Sequence, residues 1–153
     1  MTARPFSILP SSNLTTFLLF FLWLAPMHLV AQGTADSERL GKLDYMVHAD
    51  RINCDSMVGT NLESRVCLNL AFQKADSTMV ELFDKFINGV EPKSAQEEFI
   101  VYQEHWLDHR RRQSTWVSEG YRGHMLGIVY LNQMLRITER RIEDLKDLTG
   151  GEK

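Results

Sequence analysis

Residues 60–86 of the chain read TNLESRVCLNLAFQKADSTMVELFDKF, and this stretch predicts the fold. Thr60 followed by Glu63 has the pattern of a capping box, in which the two residues satisfy each other's backbone N–H groups at the start of a helix. Gly89 and Pro92 follow as helix-ending residues. The apolar side chains between these signals recur three or four positions apart, as on one face of an α-helix: Phe72, Ala75, Met79, Leu82, Phe83 and Phe86.

Two further helices are predicted by the same kinds of signal. Ser94 with Glu97 repeats the capping pattern and opens a second helix, which the segment Glu119 to Gly123 ends. The inner face expected for this helix is largely aromatic: Phe99, Tyr102, Trp106, His109 and either Trp116 or Val117. The third helix finishes at Gly150 and Gly151 and has the most regular apolar period, with these inner residues: Ile128, Leu131, Leu135, Thr138, Ile142 and Leu145.

The predicted fold class is all-α. No segment alternates apolar and polar residues for long enough to indicate a strand. Three long helices with short joints predict an antiparallel bundle over residues 54–148, followed by a tail at residues 149–153. Residues 32–53 are mostly polar, and their apolar residues are too loosely spaced to define a face. They are predicted to be a linker with one or two helical turns near residues 38–47.

The N-terminus has the features of an export signal. Arg4 precedes an uncharged run whose core, residues 17–24, reads FLLFFLWL, and a small residue, Ala31, ends a tolerable cleavage site. The run is short for a membrane span. Residues 1–31 are therefore predicted to be a signal peptide, which places the protein in the periplasm or outside the cell and leaves no membrane span after cleavage.

Cys54 and Cys67 are the two cysteines of the chain. In an oxidising compartment two such thiols pair, and closing the short loop between them stabilises the folded chain by about 3 kcal/mol. We predict a disulfide that ties the chain entering the first long helix to the early turns of that helix.

The charge distribution excludes some partners and suggests others. A formal net charge of −3 gives no electrostatic footprint for nucleic acid. The run Arg110-Arg111-Arg112 lacks the interleaved aromatic side chains that stack on bases, so surface ion pairing or contact with an anionic envelope component is expected there. Acidic side chains concentrate in residues 54–108. Such a surface attracts a cationic partner, although a solvated helix face explains the same pattern.

No catalytic or cofactor site is predicted. His105 and His109 lie one helical turn apart, the spacing of two imidazoles on one metal, but the motif supplies no third ligand, so no metal is expected. The chain has no glycine-rich phosphate loop and no nucleophile elbow. No pair of carboxylates stands out for glycan hydrolysis. We therefore expect a protein that is not an enzyme and needs no cofactor.

A set of residues recurs in the order and spacing of a known family. The pattern is Cys54, twelve residues, Cys67, then Phe72, Ala75-Asp76 and Met79, later Gln103-x-x-Trp106-x-x-x-Arg110, and finally Thr138-x-x-Arg141-x-x-x-Leu145. It resembles the LprI-type lysozyme-inhibitor N-terminal domain family, a group of small exported bacterial helical proteins, over about Cys54 to Leu148. The chain departs from the family at Val80, where members usually have Asn. It also lacks a second cysteine pair that members have near the positions of Ser114 and Gln133.

The motif residues are expected to be mainly structural. The Asp76 carboxylate is placed to accept the forked guanidinium of Arg110 from the neighbouring helix, with Trp106 shielding the pair from water. In the alternative, these groups are exposed in a recognition groove. We favour the buried pair, because a half-buried charge without a partner costs several kcal/mol.

The resemblance implies a binding domain that occludes a partner protein, and a cationic protein such as lysozyme is the expected partner. The loop Glu119 to Gly123 presents Tyr121 and Arg122 between glycines, and these two residues are the candidate partner contact. A plain connecting turn is the alternative explanation of this loop, and we favour it. A structural or stress-related envelope protein is the alternative function, followed by a glycan-acting enzyme, and the oligomeric state stays open.

Overall fold

The structure of the protein, a computed structural model, describes residues 36–56 and 58–150. Residues 36–41 are helical, and a 3-10 helix follows at Asp44–Arg51. Three long helices form the bundle: α1 (Asn61–Asn88), α2 (Lys93–Ser118) and α3 (Gly123–Leu148). No strand occurs in these described ranges, and the predicted all-α class is confirmed. The predicted signal peptide lies outside the described residues.

Helix α1 begins and ends where its sequence predicts. The Thr60 hydroxyl accepts a hydrogen bond from the Glu63 N–H at 3.2 Å, and the Glu63 carboxylate accepts one from the Thr60 N–H at 2.9 Å. Gly89 follows the last turn as the C-cap. The predicted disulfide joins Cys54 to Cys67 in the second turn of α1. The chain before α1 is therefore covalently attached to the start of that helix.

Helix α2 starts differently from the prediction. It begins at Lys93 with Pro92 as its N-cap, and the capping box expected of Ser94 and Glu97 does not form. Proline fits this place because its ring fixes φ and it has no N–H that needs a partner. The Gln96 side chain instead donates to the Val90 carbonyl at 2.7 Å, which closes the turn between α1 and α2.

The predicted inner face of α2 is wrong. The buried residues of this helix are Gln103, Leu107, Arg110, Ser114 and Ser118. The aromatic residues expected inside lie beside this face, since Trp106 is half-buried, Tyr102 is 54% exposed and Trp116 is 74% exposed. Hydropathy misplaced the face because most of the inward side chains are polar. Partners on other elements satisfy Gln103 and Arg110, and the hydroxyls of Ser114 and Ser118 donate to carbonyls of α2 itself.

Helix α3 lies at the centre, because it packs along both α1 and α2. Its predicted inner residues Leu131, Thr138, Ile142 and Leu145 are buried, whereas Ile128 and Leu135 are half-buried.

The core has two apolar clusters. One contains Leu40, Tyr45, Val66, Phe72, Leu131 and Met134. The second contains Met79, Phe83, Leu107, Ile142 and Leu145. A polar layer lies between the two clusters, at the level of Asp76 on α1 and Thr138 on α3.

Residues 36–51 differ from the predicted polar linker. Leu40 and Tyr45 belong to the first apolar cluster, and Asp36 is 1% exposed. Asn69 on α1 holds this segment by donating to the Leu40 carbonyl and to the Tyr45 hydroxyl, both at 2.8 Å. The apolar spacing did not predict this packing. Each short helical turn buries a single apolar residue, so the segment has no continuous apolar face.

Candidate functional site

Several of the motif residues converge on one buried guanidinium in the polar layer. Arg110 donates from Nη1 to Asp76 Oδ1 at 2.6 Å and to Thr138 Oγ1 at 2.9 Å. The Trp106 ring centroid lies 5.3 Å from the guanidinium carbon. The predicted ion pair and its shielding tryptophan are both present. Arg110 and Asp76 are fully buried, so they do not line an exposed recognition groove.

Asp36 is a member of this layer that no sequence pattern revealed. Its Oδ2 accepts from Arg110 Nη2 at 3.0 Å. Both its oxygens also accept from Arg111 Nε, at 3.0 and 2.9 Å. The two terminal nitrogens of Arg110 thus bond to different carboxylates, Nη1 to Asp76 and Nη2 to Asp36. Arg111 is a second arginine bonded to Asp36. A single acid in a polar segment carries no signal that would have identified this role.

The two carboxyl groups have pKa values on opposite sides of the ordinary value of 3.8. Burial acts to raise the pKa of Asp36, but the hydrogen bonds of Arg111 and the charge of Arg110 together outweigh it and lower the pKa. Burial raises the pKa of Asp76, and the charge of Arg110 and the hydroxyl of Ser37 offset only part of that rise. The layer is therefore an internal ion cluster that holds the elements in register.

A second buried arginine lies farther along α3. Arg141 donates from Nε and Nη2 to Gln103 Oε1, at 3.1 and 2.9 Å. Its guanidinium carbon lies 5.2 Å from the Tyr102 ring centroid and 5.8 Å from that of Trp106. Burial lowers the pKa of Arg141. Gln103 and Arg141 therefore join α2 to α3, and the aromatic faces shelter the charge.

The histidine pair considered for a metal is on the surface. His105 and His109 are both exposed on α2. Across residues 36–56 and 58–150, no three His, Cys, Asp or Glu side chains are grouped so that they could hold a metal ion. Over the same ranges, none of the helices is long and apolar enough to cross a membrane.

The motif residues thus lie together in the core, and a family comparison covers the part of the chain that contains them. The family described as "Lysozyme inhibitor LprI" matches residues 53–145. The chain belongs to the LprI lysozyme-inhibitor family. No curated protein and no solved structure matches it. The family description and the disulfide together suggest an exported protein.

In this LprI-family chain, half of the exposed acids among the described residues lie toward one end of the bundle, which we call the acidic end, and exposed Lys85, Lys93 and Lys146 lie there too. The C-terminus of α1 meets the N-terminus of α2 there, where the rings of Phe86 and Phe99 pack edge to face at 4.9 Å. Asp76 belongs to the same stretch of sequence but is buried and paired. The exposed carboxylates of this end are those of Glu81, Glu91, Glu97, Glu98, Glu143, Asp144 and Asp147.

The candidate contact residues Tyr121 and Arg122 lie at the opposite end. Both are exposed in the turn between α2 and α3, which Gly120 permits with its positive φ of 92°. The starts of α1 and α3 meet at this end, where Arg65 and His124 are 3.4 Å apart. A helix of 26 residues is about 39 Å long. The acids and the contact loop, which were expected to serve one partner, are therefore far apart.

A groove with a volume of about 860 Å³ opens near the end that carries the contact loop. The N-terminal segment and all three helices contribute to it, which is why no local pattern predicted it. Tyr121 and Arg122 are not among its lining residues. We call it the arginine groove, after four of the residues that line it: Arg39, Arg65, Arg111 and Arg112.

Proposed function

We propose that this protein inhibits a lysozyme by binding it and covering its surface, without chemistry of its own. The observation that carries the proposal is the family match over residues 53–145. The burial of the motif residues restricts which part of the surface can bind the enzyme. Since Asp76, Arg110 and Arg141 are occupied in the core, recognition falls to the exposed side chains.

The acidic end is the surface that we assign to the enzyme. Host-defence lysozymes are cationic, and complementary charge accelerates the encounter of two proteins. Glu97 and Glu98 are exposed in the first turns of α2, and Glu91 is exposed just before that helix. The arginine groove lies at the other end, where a cationic enzyme would be repelled.

Residues 1–31 act, in this proposal, as a signal peptide, and the exported product works in the periplasm or outside the cell. The bond between Cys54 and Cys67 supports this placement because disulfides persist in oxidising compartments.

The test is to measure lysozyme-driven lysis of cell walls, and complex formation by calorimetry, with the purified protein. We expect a complex that weakens as salt increases, because salt screens exposed charges. The double variant Glu97→Lys with Glu98→Lys should weaken it. The matched control is Asp50→Lys with Glu119→Lys, which changes the net charge equally at exposed positions away from the acidic end and should bind nearly as well as the wild type.

Three results would count against this proposal. If the control pair weakens the complex as much as the acidic-end pair, net charge alone matters and the assigned surface is wrong. If no complex forms at micromolar concentrations with chicken-type, goose-type or invertebrate-type lysozymes, inhibition is abandoned and a structural envelope role becomes the better proposal. Loss of binding in Tyr121→Ala or Arg122→Ala would move the contact to the opposite end.

A further inference from the structure

We propose that the arginine groove is a second binding site, which takes an acidic segment of a partner protein with a large apolar side chain among its carboxylates. The site lies at the end of the bundle opposite to the acidic end. Its occupant has the opposite charge to a lysozyme, so this site serves a different partner.

The charges around the groove define the chemistry of the occupant. Four arginines line it, and Glu119 is the one acidic residue among its lining residues. Arg111 uses its Nε for Asp36, and Arg112 uses its Nε for Asp108 at 2.7 Å. Their terminal nitrogens make no hydrogen bond within the described part of the chain, and a guanidinium fork binds carboxylates in pairs of hydrogen bonds.

Arg65 is held in place at the groove. Its guanidinium carbon lies 4.0 Å from the centroid of the Tyr45 ring. Gly127 of α3 also lies close to this guanidinium, and a Cβ added there would come within 2.6 Å of Arg65 Nε. This buried Nε has no hydrogen-bond partner among the described residues. The glycine therefore leaves the space that the guanidinium occupies.

The apolar surface of the groove favours a protein segment over a free anion. Leu40 and Leu131 are buried beneath it, whereas Trp116 and Leu126 are exposed along it. Tryptophan and arginine are the side chains that most often dominate the binding energy of protein interfaces. A volume of about 860 Å³ is typical of concave ligand sites and holds one large side chain with adjoining backbone. A flat bilayer would not reach the buried floor.

The test is a selection of short random peptides, displayed on phage, against the immobilised full protein. We expect the recovered peptides to be enriched in Asp and Glu around an aromatic residue or leucine. The most enriched peptide is then synthesised and titrated by calorimetry. Trp116→Ala and Arg112→Glu, both at exposed positions, should each weaken its binding about tenfold or more.

Matched controls separate the groove from general effects. Val101→Ala on α2 and Lys74→Glu on α1 are exposed and lie outside the groove, and they should leave peptide binding unchanged. Gly127→Ala should weaken binding because it displaces Arg65. Circular dichroism of every variant checks that the helices persist, and none of these changes should alter binding to lysozyme.

The proposal is overturned if no peptide is enriched, if the enriched peptides are not acidic, or if they bind Trp116→Ala and Arg112→Glu as well as they bind the wild type. Phosphatidylglycerol vesicles provide a separate arm. If the vesicles bind through Trp116 and Arg112 while peptides do not, the groove belongs to a membrane surface and the proposal of a protein partner is wrong.

Discussion

Asp36 and Arg110 are 74 positions apart in the chain, yet their side chains meet at 3.0 Å inside the bundle. Asp36 also binds Arg111, so it attaches the N-terminal segment to α2 at two adjacent residues. Without Asp36, the buried Arg110 would have Asp76 as its one carboxylate partner, and Arg39 and Arg111 would lose theirs. The segment before the disulfide is therefore part of the folded unit, because it completes the charge balance of the polar layer.

The substitution Asp36→Asn should destabilise the protein by about 3 kcal/mol, because it leaves a buried arginine charge incompletely compensated. The measurement is the free energy of unfolding in urea. Asp50→Asn, at an exposed acid of the same segment, is the control and should change it little. Equal effects of the two substitutions would show that the Asp36 contacts contribute nothing particular.

The stability difference between the wild type and Asp36→Asn should shrink in acid. The folded pKa of Asp36 lies below the ordinary value of 3.8, so the stabilisation is present above this pH and is lost as the pH falls through the folded pKa. Asp76 has a raised pKa, so its contribution to stability changes with pH in the opposite direction. Both proteins contain Asp76, so this contribution largely cancels in the difference between them. Urea titrations at pH values above and below 3.8 test this, and a difference independent of pH would contradict the assigned direction.

Gln103→Leu should cost about 2 kcal/mol, because Arg141 loses the oxygen that accepts both of its hydrogen bonds. Gln103→Glu should retain most of the stability, since a carboxylate accepts the same two bonds. Asn132→Leu, at an exposed position on α3, controls for adding an apolar side chain. Thermal unfolding of the four proteins gives the comparison. The glutamate variant also loses the donation from Gln103 Nε2 to Met79 Sδ, so only a glutamate variant as unstable as Gln103→Leu would refute the role given to the Gln103 oxygen.

Ser114→Cys combined with Gln133→Cys should form a second disulfide between α2 and α3. Both positions are buried. Arg110 on α2 bonds to Thr138 on α3, so these two positions are level on the antiparallel helices. Ser114 lies one turn after Arg110, and Gln133 lies just over one turn before Thr138. Ser114 and Gln133 are therefore also level with each other. Closing this loop should stabilise the protein by up to about 3 kcal/mol. Counting free thiols tests whether the disulfide forms, and thermal unfolding with and without reductant measures the stability that it adds. Ser114→Cys alone is the control. Two free thiols in the double variant would show that this register is wrong.

The sequence by itself determined the features that depend on neighbouring residues. The capping box that begins α1 was predictable because its bonds join Thr60 to Glu63, only three positions along the chain. The disulfide follows from the presence of two cysteines, and the apolar period of α3 predicts most of its buried face. The pairing of Asp76 with Arg110 was also predicted, because Asp76 lies among the inward-facing residues of α1 and Arg110 lies one turn from Trp106 on α2.

Only the tertiary structure decided which polar groups are buried and what they contact. Hydropathy assigned the wrong face of α2 because Gln103 and Arg110 are stable inside only when Arg141 and the two aspartates lie opposite them. The role of Asp36, the separation of the acidic end from the contact loop, and the arginine groove depend in the same way on residues distant in sequence. Packing brings such groups together, and no local pattern records contacts that exist only after the chain has folded.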